Sequence, residues 1–438
     1  MKKSFEEFSV AGKNQGMVTV LLSLFASVIG ASATLGIAEK TAAQGESAIW
    51  FLLAGCAGLL FQGLILSSKI RALNADTLPD LAEKTIGRQN ALFISIIIFI
   101  SWTGIVAAQF VALAGLVSSL LPVDASLVLI IAGAAVTAYT MTGGQGAVVK
   151  TDRIHALFIF LGIAAAFAYC AFSADGAAGA DALQADDVLF SDDAFSRFLS
   201  GVTPVSLLYL VFIVGGTYFL GPDIISRNLI SRDAKTAKRA VLISSAVLLV
   251  FAFLVVETSA FGARALKASD ALPAGVNPLV ALITGFLPLP LAIILAVALI
   301  AALISSADTC LVNAATIFEY NVLGRKRVGE IRILIALMGV AAVLLGLGGR
   351  GIMTLLVGAY SIYSPGVVLP LTIGILCHEK RRIRPRLMFV AILLGSVCGL
   401  IAQFAPLPAV SVLGGSLKET LPLIGMALSG VVSLFACL

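Results

Sequence analysis

Ala301-Ala302-Leu303-Ile304-Ser305-Ser306-Ala307-Asp308-Thr309-Cys310 lies in the middle of an apolar run from about Pro288 to Ile317. A helix that faces lipid has no use for three hydroxyls and a carboxylate between Ser305 and Thr309. At about 100° per residue, Ala302, Ser306, Thr309 and Asn313 fall on one stripe roughly 60° wide. Ser305 lies just to one side of the stripe, and Asp308 further round in the same direction. A carboxylate at mid-membrane costs about 2.5–3.5 kcal/mol on insertion scales. The stripe therefore faces a partner, a cavity or an ion. Small polar residues also glue one helix to another, so the helix alone leaves both readings open.

The rest of the chain narrows them. It has 438 residues, of which 59% are hydrophobic and only 12% charged, about half the charged share of a soluble protein. Mean hydropathy is +1.05. The apolar runs have helix length and lack barrel-like alternation, so the class expected is an all-α integral membrane protein in a lipid bilayer. Six cysteines, Cys56, Cys170, Cys310, Cys377, Cys398 and Cys437, stand singly, and only two histidines occur, His155 and His378. Neither a disulfide framework nor a zinc site is indicated. The net charge of +5 sits in short loops and does not imply nucleic acid. No nucleotide or metal motif appears, so an enzyme is not expected.

About twelve spans are expected, near 17–38, 47–68, 90–120, 125–144, 152–174, 200–221, 239–262, 279–319, 331–347, 352–376, 386–405 and 420–438. With the N-terminus inside, 23 of the 29 Lys and Arg fall on the inner side, Arg227 among them. Both termini are then expected in the cytoplasm. The organisation read from this is a cytoplasmic segment 1–16, five spans over 17–174, an acidic external loop 175–199, five more spans over 200–376, and two additional helices over 377–438. Five is odd, so the second set starts from the opposite face, which permits an inverted repeat.

Span 1 reads Leu22-Ser23-Leu24-Phe25-Ala26-Ser27-Val28-Ile29-Gly30-Ala31-Ser32-Ala33-Thr34-Leu35-Gly36, small and hydroxylated at mid-membrane. Such a stretch can unwind only where it lines a cavity. Span 6 has Gly215-Gly216-Thr217-Tyr218-Phe219-Leu220-Gly221-Pro222, a second breakable segment. Interrupted spans at corresponding places in two halves point to a transporter binding site. Span 10 carries Tyr360-Ser361-Ile362-Tyr363-Ser364-Pro365-Gly366, where the proline permits a hinge. Carbonyls of an unwound span 1 with hydroxyls of span 8 would suit a hard cation such as sodium.

Five pieces in order carry a resemblance: Ser9-Val10-Ala11-Gly12-Lys13-Asn14 before span 1, Thr77-Leu78-Pro79-Asp80-Leu81-Ala82-Glu83-Lys84 after span 2, Thr142-Gly143-Gly144-Gln145-Gly146-Ala147-Val148-Val149-Lys150-Thr151-Asp152 at span 5, Gly221-Pro222-Asp223-Ile224-Ile225-Ser226-Arg227 after span 6, and the opening of span 8. From about Phe8 to Ala405 the chain resembles the sodium:solute symporter family. The resemblance implies a leucine-transporter-type fold, with a five-plus-five inverted repeat, broken helices 1 and 6, and two C-terminal helices. It implies a sodium site of carbonyls at Ala26, Ile29 and Ala302 with hydroxyls at Ser305 and Ser306. In some members a second cation site falls on positions that here are Asp152, Ser305, Asp308 and Thr309. A carboxylate at 308 departs from the family's hydroxyl pattern. It could hold a cation or carry a proton, and Asp152 could equally cap span 5.

The positions where sugar carriers place polar groups are here Val28, Ala33, Phe51, Leu52 and Gly55, which disfavours a sugar. Ser32, Phe51, Gly55, Trp102, Gln109, Thr217 and Tyr218 are the candidate substrate residues, and free span-1 amides would suit a carboxylate. The function expected is sodium-coupled import of a small organic solute, an amino acid or small carboxylate, across the cell membrane by alternating access. The expected partners are that solute, sodium and lipid, with no obligatory protein partner. A proton-coupled carrier using Asp308 or Asp152 is the alternative, and a membrane-embedded solute sensor a weaker one.

Overall fold

A computed structural model describes residues 5–172, 198–268, 276–408, 410–412 and 415–438. Most of the acidic loop expected at 175–199 lies outside the described residues. Among the described residues, eleven helical stretches are long and apolar enough to cross a membrane, and Met17–Val28 is a shorter apolar helix. One of the eleven, Ser32–Ala72, has 41 residues. At about 1.5 Å per residue that is twice a bilayer's hydrocarbon core. It is broken at Gly45, where φ is 72° and ψ −157°. Its first arm continues span 1 and its second is span 2, which reconciles eleven stretches with twelve spans.

Span 1 thus consists of Met17–Val28 and an arm running from Ser32–Gly36 through Ile37–Gln44, separated at Ile29–Ala31. Span 2 runs from Trp50–Phe61 through Ser67–Ala72. Span 3 is Arg88–Leu120, span 4 Ala125–Gly143 and span 5 Gln145–Phe172. Span 6 has one arm from Pro204 to Leu220 and a second, Pro222–Ile230, separated by Gly221 in extended conformation. Spans 7 to 12 are Ala234–Ala268, Leu289–Ile317, Val328–Leu347, Ile352–Cys377, Pro385–Phe404 and Leu417–Ala436.

Three boundaries differ from the sequence reading for physical reasons. Span 5 begins at Gln145, because Gly144 at φ 70° is the only interruption between it and span 4. Asp152 is therefore two turns inside its helix and cannot be an N-terminal cap. The segment 278–286 forms its own short helix, because Pro288 starts span 8 anew. Span 6 continues past its break for nine residues that hydropathy assigned to a loop. Pro365 sits inside span 10 without interrupting it.

The outer surface is apolar, with Leu344, Ile333, Phe435 and Ile293 each more than half exposed. Ser23 and Ser27 of span 1, Thr217 of span 6, Ser305, Asp308 and Thr309 of span 8, and Ser361 and Ser364 of span 10 are all buried. Spans 2 and 6 cross so closely that a Cβ at Gly58 would stand 2.2 Å from the Gly215 carbonyl. Only glycine lets two backbones meet at that distance.

Candidate functional site

The break in span 1 is built by what its neighbours supply. Ile29 ends the first arm with φ −98° and ψ 92°, which swings its carbonyl off the helical ladder. From span 8, the Ser306 hydroxyl donates to the Ser27 carbonyl at 3.0 Å. From span 3, Gln109 Oε1 accepts the Ala31 amide at 2.7 Å. From span 6, the Tyr218 hydroxyl reaches the Val28 carbonyl at 3.4 Å. Gly30 lies between them, where a Cβ would stand 2.5 Å from Ser306 Oγ and 2.7 Å from Gln109 Oε1. The orphan groups of an unwound segment are thus satisfied by side chains, as they must be at membrane depth.

Ala26, Ile29, Ala302 and Ser305 are fully buried and Ser306 is nearly so. The Ser306–Ser27 bond ties span 8 to the end of the first span-1 arm, which carries Ala26 and stops at Ile29. Ser305 Oγ donates to Asp152 Oδ1 at 2.7 Å. Neither bond uses up the lone pairs of the hydroxyls. The donor set is neutral oxygen throughout, the chemistry a sodium ion prefers.

One helical turn away is a charged cluster that hydropathy concealed. Arg227, counted with the inner loops, is completely buried. Its Nη2 lies 2.9 Å from Asp152 Oδ2, 2.8 Å from Thr309 Oγ1 and 2.5 Å from Ser27 Oγ. Its Nε donates to Ser23 Oγ at 3.1 Å, and Ser23 in turn donates to Asp152 Oδ2 at 2.5 Å. Asp152 and Thr309, two members of the candidate second cation site, are therefore engaged by a guanidinium. Such a pair is tolerable only because the hydroxyls of Ser23, Ser27, Ser305 and Thr309 surround the two charges with hydrogen bonds. Asp308, also fully buried, has no salt-bridge partner among the described residues, and neither carboxylate oxygen forms a well-directed hydrogen bond.

A pocket adjoins the two breaks. Ser32, Trp102, Gln109, Thr217 and Tyr218 line it, together with Ser306. Asp223, Tyr360 and Cys310 also line it, and sequence reasoning passed over all three. The space open to the centre of a water molecule is about 30 Å³. Phe51 is not in this pocket; it lines a separate cavity of about 750 Å³ with Tyr209, Lys40, Arg350, Lys418 and Glu419. Gly55 is in neither; a Cβ there would press on the Tyr218 ring at 3.0 Å. Thr217 Oγ1 is shared with Ser364 Oγ at 2.7 Å and the Ile213 carbonyl at 3.0 Å. The free span-1 amide expected for a carboxylate is, at Ala31, taken by Gln109.

Two interrupted helices meeting at a buried pocket, crossed by an intact helix that presents hydroxyls to one break, are the architecture of a membrane carrier. The model of the Sodium:solute symporter family matches residues 8–347, and the chain belongs to that family. It is 26% identical over 242 residues to the high-affinity proline transporter PutP of Bacillus subtilis, covering 53% of this chain and 50% of that protein. It is 28% identical over 251 residues to a sodium/proline symporter of Haemophilus influenzae, covering 55% and 49%. These matches span about half the length of the curated relatives. A sodium/glucose cotransporter of Vibrio parahaemolyticus is 25% identical over 416 residues, 85% of this chain and 75% of that one. In three dimensions the chain resembles a Na+-coupled sialic acid symporter in a substrate-bound outward-open state, with a TM-score of 0.79 and 16% identity over 100% of this chain and 92% of that one. It also resembles MhsT in complex with L-phenylalanine, with a TM-score of 0.60 and 14% identity over 96% and 98%. These likenesses establish the fold as leucine-transporter-type.

Proposed function

We propose that this protein is a sodium-coupled symporter that imports a small organic solute across the cell membrane, with both termini in the cytoplasm. The observation that carries the reading is the Ser306 hydroxyl on the Ser27 carbonyl at the break of span 1. It sets Ser306 on a span-1 carbonyl next to that break, with Ser305 its neighbour on span 8. Sodium, the cargo, would be held by Ala26, Ile29, Ala302, Ser305 and Ser306. Its binding would join span 1 to span 8 and complete the wall that Ser306 shares with the solute pocket. Ion and solute together then shift the carrier between outward- and inward-open states. Each inward sodium gains about 2.3 kcal/mol per 100 mV of membrane potential, before its concentration gradient is added. Removing Arg227 from the loop tally leaves 22 basic residues inside against 6 outside, which keeps the orientation.

The test is solute uptake into proteoliposomes as a function of external sodium. Ser306→Ala is expected to raise the sodium concentration for half-activation by on the order of tenfold or more, about 1.4 kcal/mol of binding. The variant should still fold, since a surviving Ser305 keeps its bond to Asp152. Unaltered sodium activation in Ser306→Ala would overturn the site.

A second reading is favoured by Asp308. Two carboxyl groups, Asp152 and Asp308, share the centre with one guanidinium, so one of them lacks an ionic partner. A second transported cation at Asp308, with Thr309 beside it, would supply that partner. Uptake with sodium removed and a pH gradient retained distinguishes a proton from a second sodium. Asp308→Asn that transports with unchanged cation stoichiometry would exclude both.

A further inference from the structure

Taking the solute pocket as proposed above, its unpaired polar atoms narrow what it can hold. Most of the pocket's polar groups are already engaged by the protein. Thr217 is shared with span 10, Gln109 holds the Ala31 amide, Tyr218 reaches the Val28 carbonyl and Ser306 the Ser27 carbonyl. Two buried atoms on the pocket's lining residues have no partner: Asp223 Oδ1 and Trp102 Nε1. Trp102 is only 1% exposed, so water at the surface does not satisfy it. A buried indole N–H or carboxylate oxygen left unpaired loses its hydration without compensation. One of these atoms is an anionic acceptor and the other a neutral donor.

We propose that Asp223 is a specificity-determining residue that anchors a protonated amine, and that the solute is an amine-bearing compound, preferentially a zwitterionic amino acid whose carboxylate accepts from Trp102. Asp223 is the one residue lining the pocket that is charged at neutral pH. The nearest cation on its own helix, Arg227, is spent on Asp152. A solute carrying only a carboxylate would place a second negative charge beside Asp223 with nothing to compensate it. An ammonium group both neutralises the carboxylate and supplies the donor that Oδ1 lacks. Aromatic rings of Tyr218 and Tyr360 complete the wall.

The competing role for Asp223 is local. It is the second residue of Pro222–Ile230 and lies over its own amide and that of Ile224, where a helix N-terminus favours an acceptor. That role needs an oxygen and not a charge, so asparagine would serve it nearly as well. Asp223→Asn therefore separates the two.

The experiment measures thermal stabilisation of the purified full-length protein in sodium. The probes are L-alanine, L-proline and L-leucine, their deaminated counterparts propanoate, cyclopentanecarboxylate and 4-methylpentanoate, and their decarboxylated counterparts ethylamine, pyrrolidine and isoamylamine. At least one amino acid is expected to stabilise the wild type, with its amine weaker and its deaminated acid without effect. Asp223→Asn should weaken the amino acid on the order of ten- to a hundredfold while keeping stabilisation by sodium alone. Equal stabilisation by a deaminated acid and its amino acid in the wild type would overturn the proposal, whatever the variant does. So would an Asp223→Asn protein with unchanged affinity. If sodium stabilises the protein and no amine-bearing probe does, the amine assignment falls and the sodium site stands. If neither sodium nor any probe has an effect, the symporter reading itself falls.

Discussion

The breaks in spans 1 and 6 meet at one pocket and are closed by opposite means. At span 1 the closing groups are neutral: an amide from Gln109, a phenol from Tyr218 and a hydroxyl from Ser306. At span 6 the Leu220 carbonyl takes the Tyr363 hydroxyl at 2.6 Å, and the arm that follows carries a half-buried Asp223 and a fully buried Arg227. The difference fits the role proposed for each break. A site that must bind and release a cation is best built of dipoles, which attract sodium without trapping it. The arm after Gly221 instead carries a guanidinium bonded to Ser23 and Ser27 of span 1, Asp152 of span 5 and Thr309 of span 8. Arg227 clamps this arm to the helices around the proposed sodium site.

The largest effect should come from unbalancing that clamp. Arg227→Met leaves Asp152 as an uncompensated buried charge and is expected to cost about 3–5 kcal/mol, read as a large fall in melting temperature or in yield. The double variant Asp152→Leu with Arg227→Met removes both charges and should recover most of that loss. A double variant as unstable as the single one would show that the clamp acts through its neutral partners, Ser23, Ser27 and Thr309. In that case the contrast between a charged and a neutral break would lose its energetic basis.

Gly30→Ala perturbs the neutral break next, at a smaller scale. The added methyl would stand 2.5 Å from Ser306 Oγ and 2.7 Å from Gln109 Oε1, so both side chains must give way. Overpacking of this kind costs about 1–3 kcal/mol. Because the displaced hydroxyl belongs to the proposed sodium set, sodium activation should weaken along with stability. A stable Gly30→Ala protein with normal sodium activation would mean that the break is looser than its contacts imply.

Much of this contrast was legible in the sequence at span 1 and little of it at span 6. Leu22 to Gly36 is long, apolar and interrupted by glycines and hydroxyls, so membrane depth and the need for partners could both be read from it. The span-8 stripe supplied the partner, and the angular placing of Ser306 on it agrees with its bond to Ser27. After Gly221-Pro222 the chain reads Asp223, Ser226, Arg227, Asn228, and window hydropathy cannot tell a polar loop from a short polar helix packed at the centre. The signal was there in a different period. Ile224, Ile225, Leu229 and Ile230 interleave with those polar residues at helical spacing, and all four are buried. Reading that periodicity would have moved Arg227 out of the basic loop count and brought Asp223 to the pocket. Gly55 and Phe51 were placed by analogy with sugar carriers. Phe51 lines the wide cavity instead, and Gly55 clears room for Tyr218.

The smallest perturbation bears on the neutral component of the span-6 break. Tyr363 is fully buried, and its hydroxyl is the group that meets the Leu220 carbonyl where the helix stops. Tyr363→Phe keeps the ring and its edge-on contact with Trp102, with centroids 4.9 Å apart, and removes one donor. The expected cost is about 1 kcal/mol, because one hydrogen bond is lost and one buried carbonyl is left to find another partner. In differential scanning fluorimetry this should be a shift of a few degrees, well below that of Arg227→Met. The solute pocket borders Trp102, so solute affinity should change little while the ring stays in place. A loss as large as that of the Arg227 variant would mean that the hydroxyl, and not the guanidinium, holds the second arm of span 6. The two breaks would then be closed by the same neutral chemistry after all.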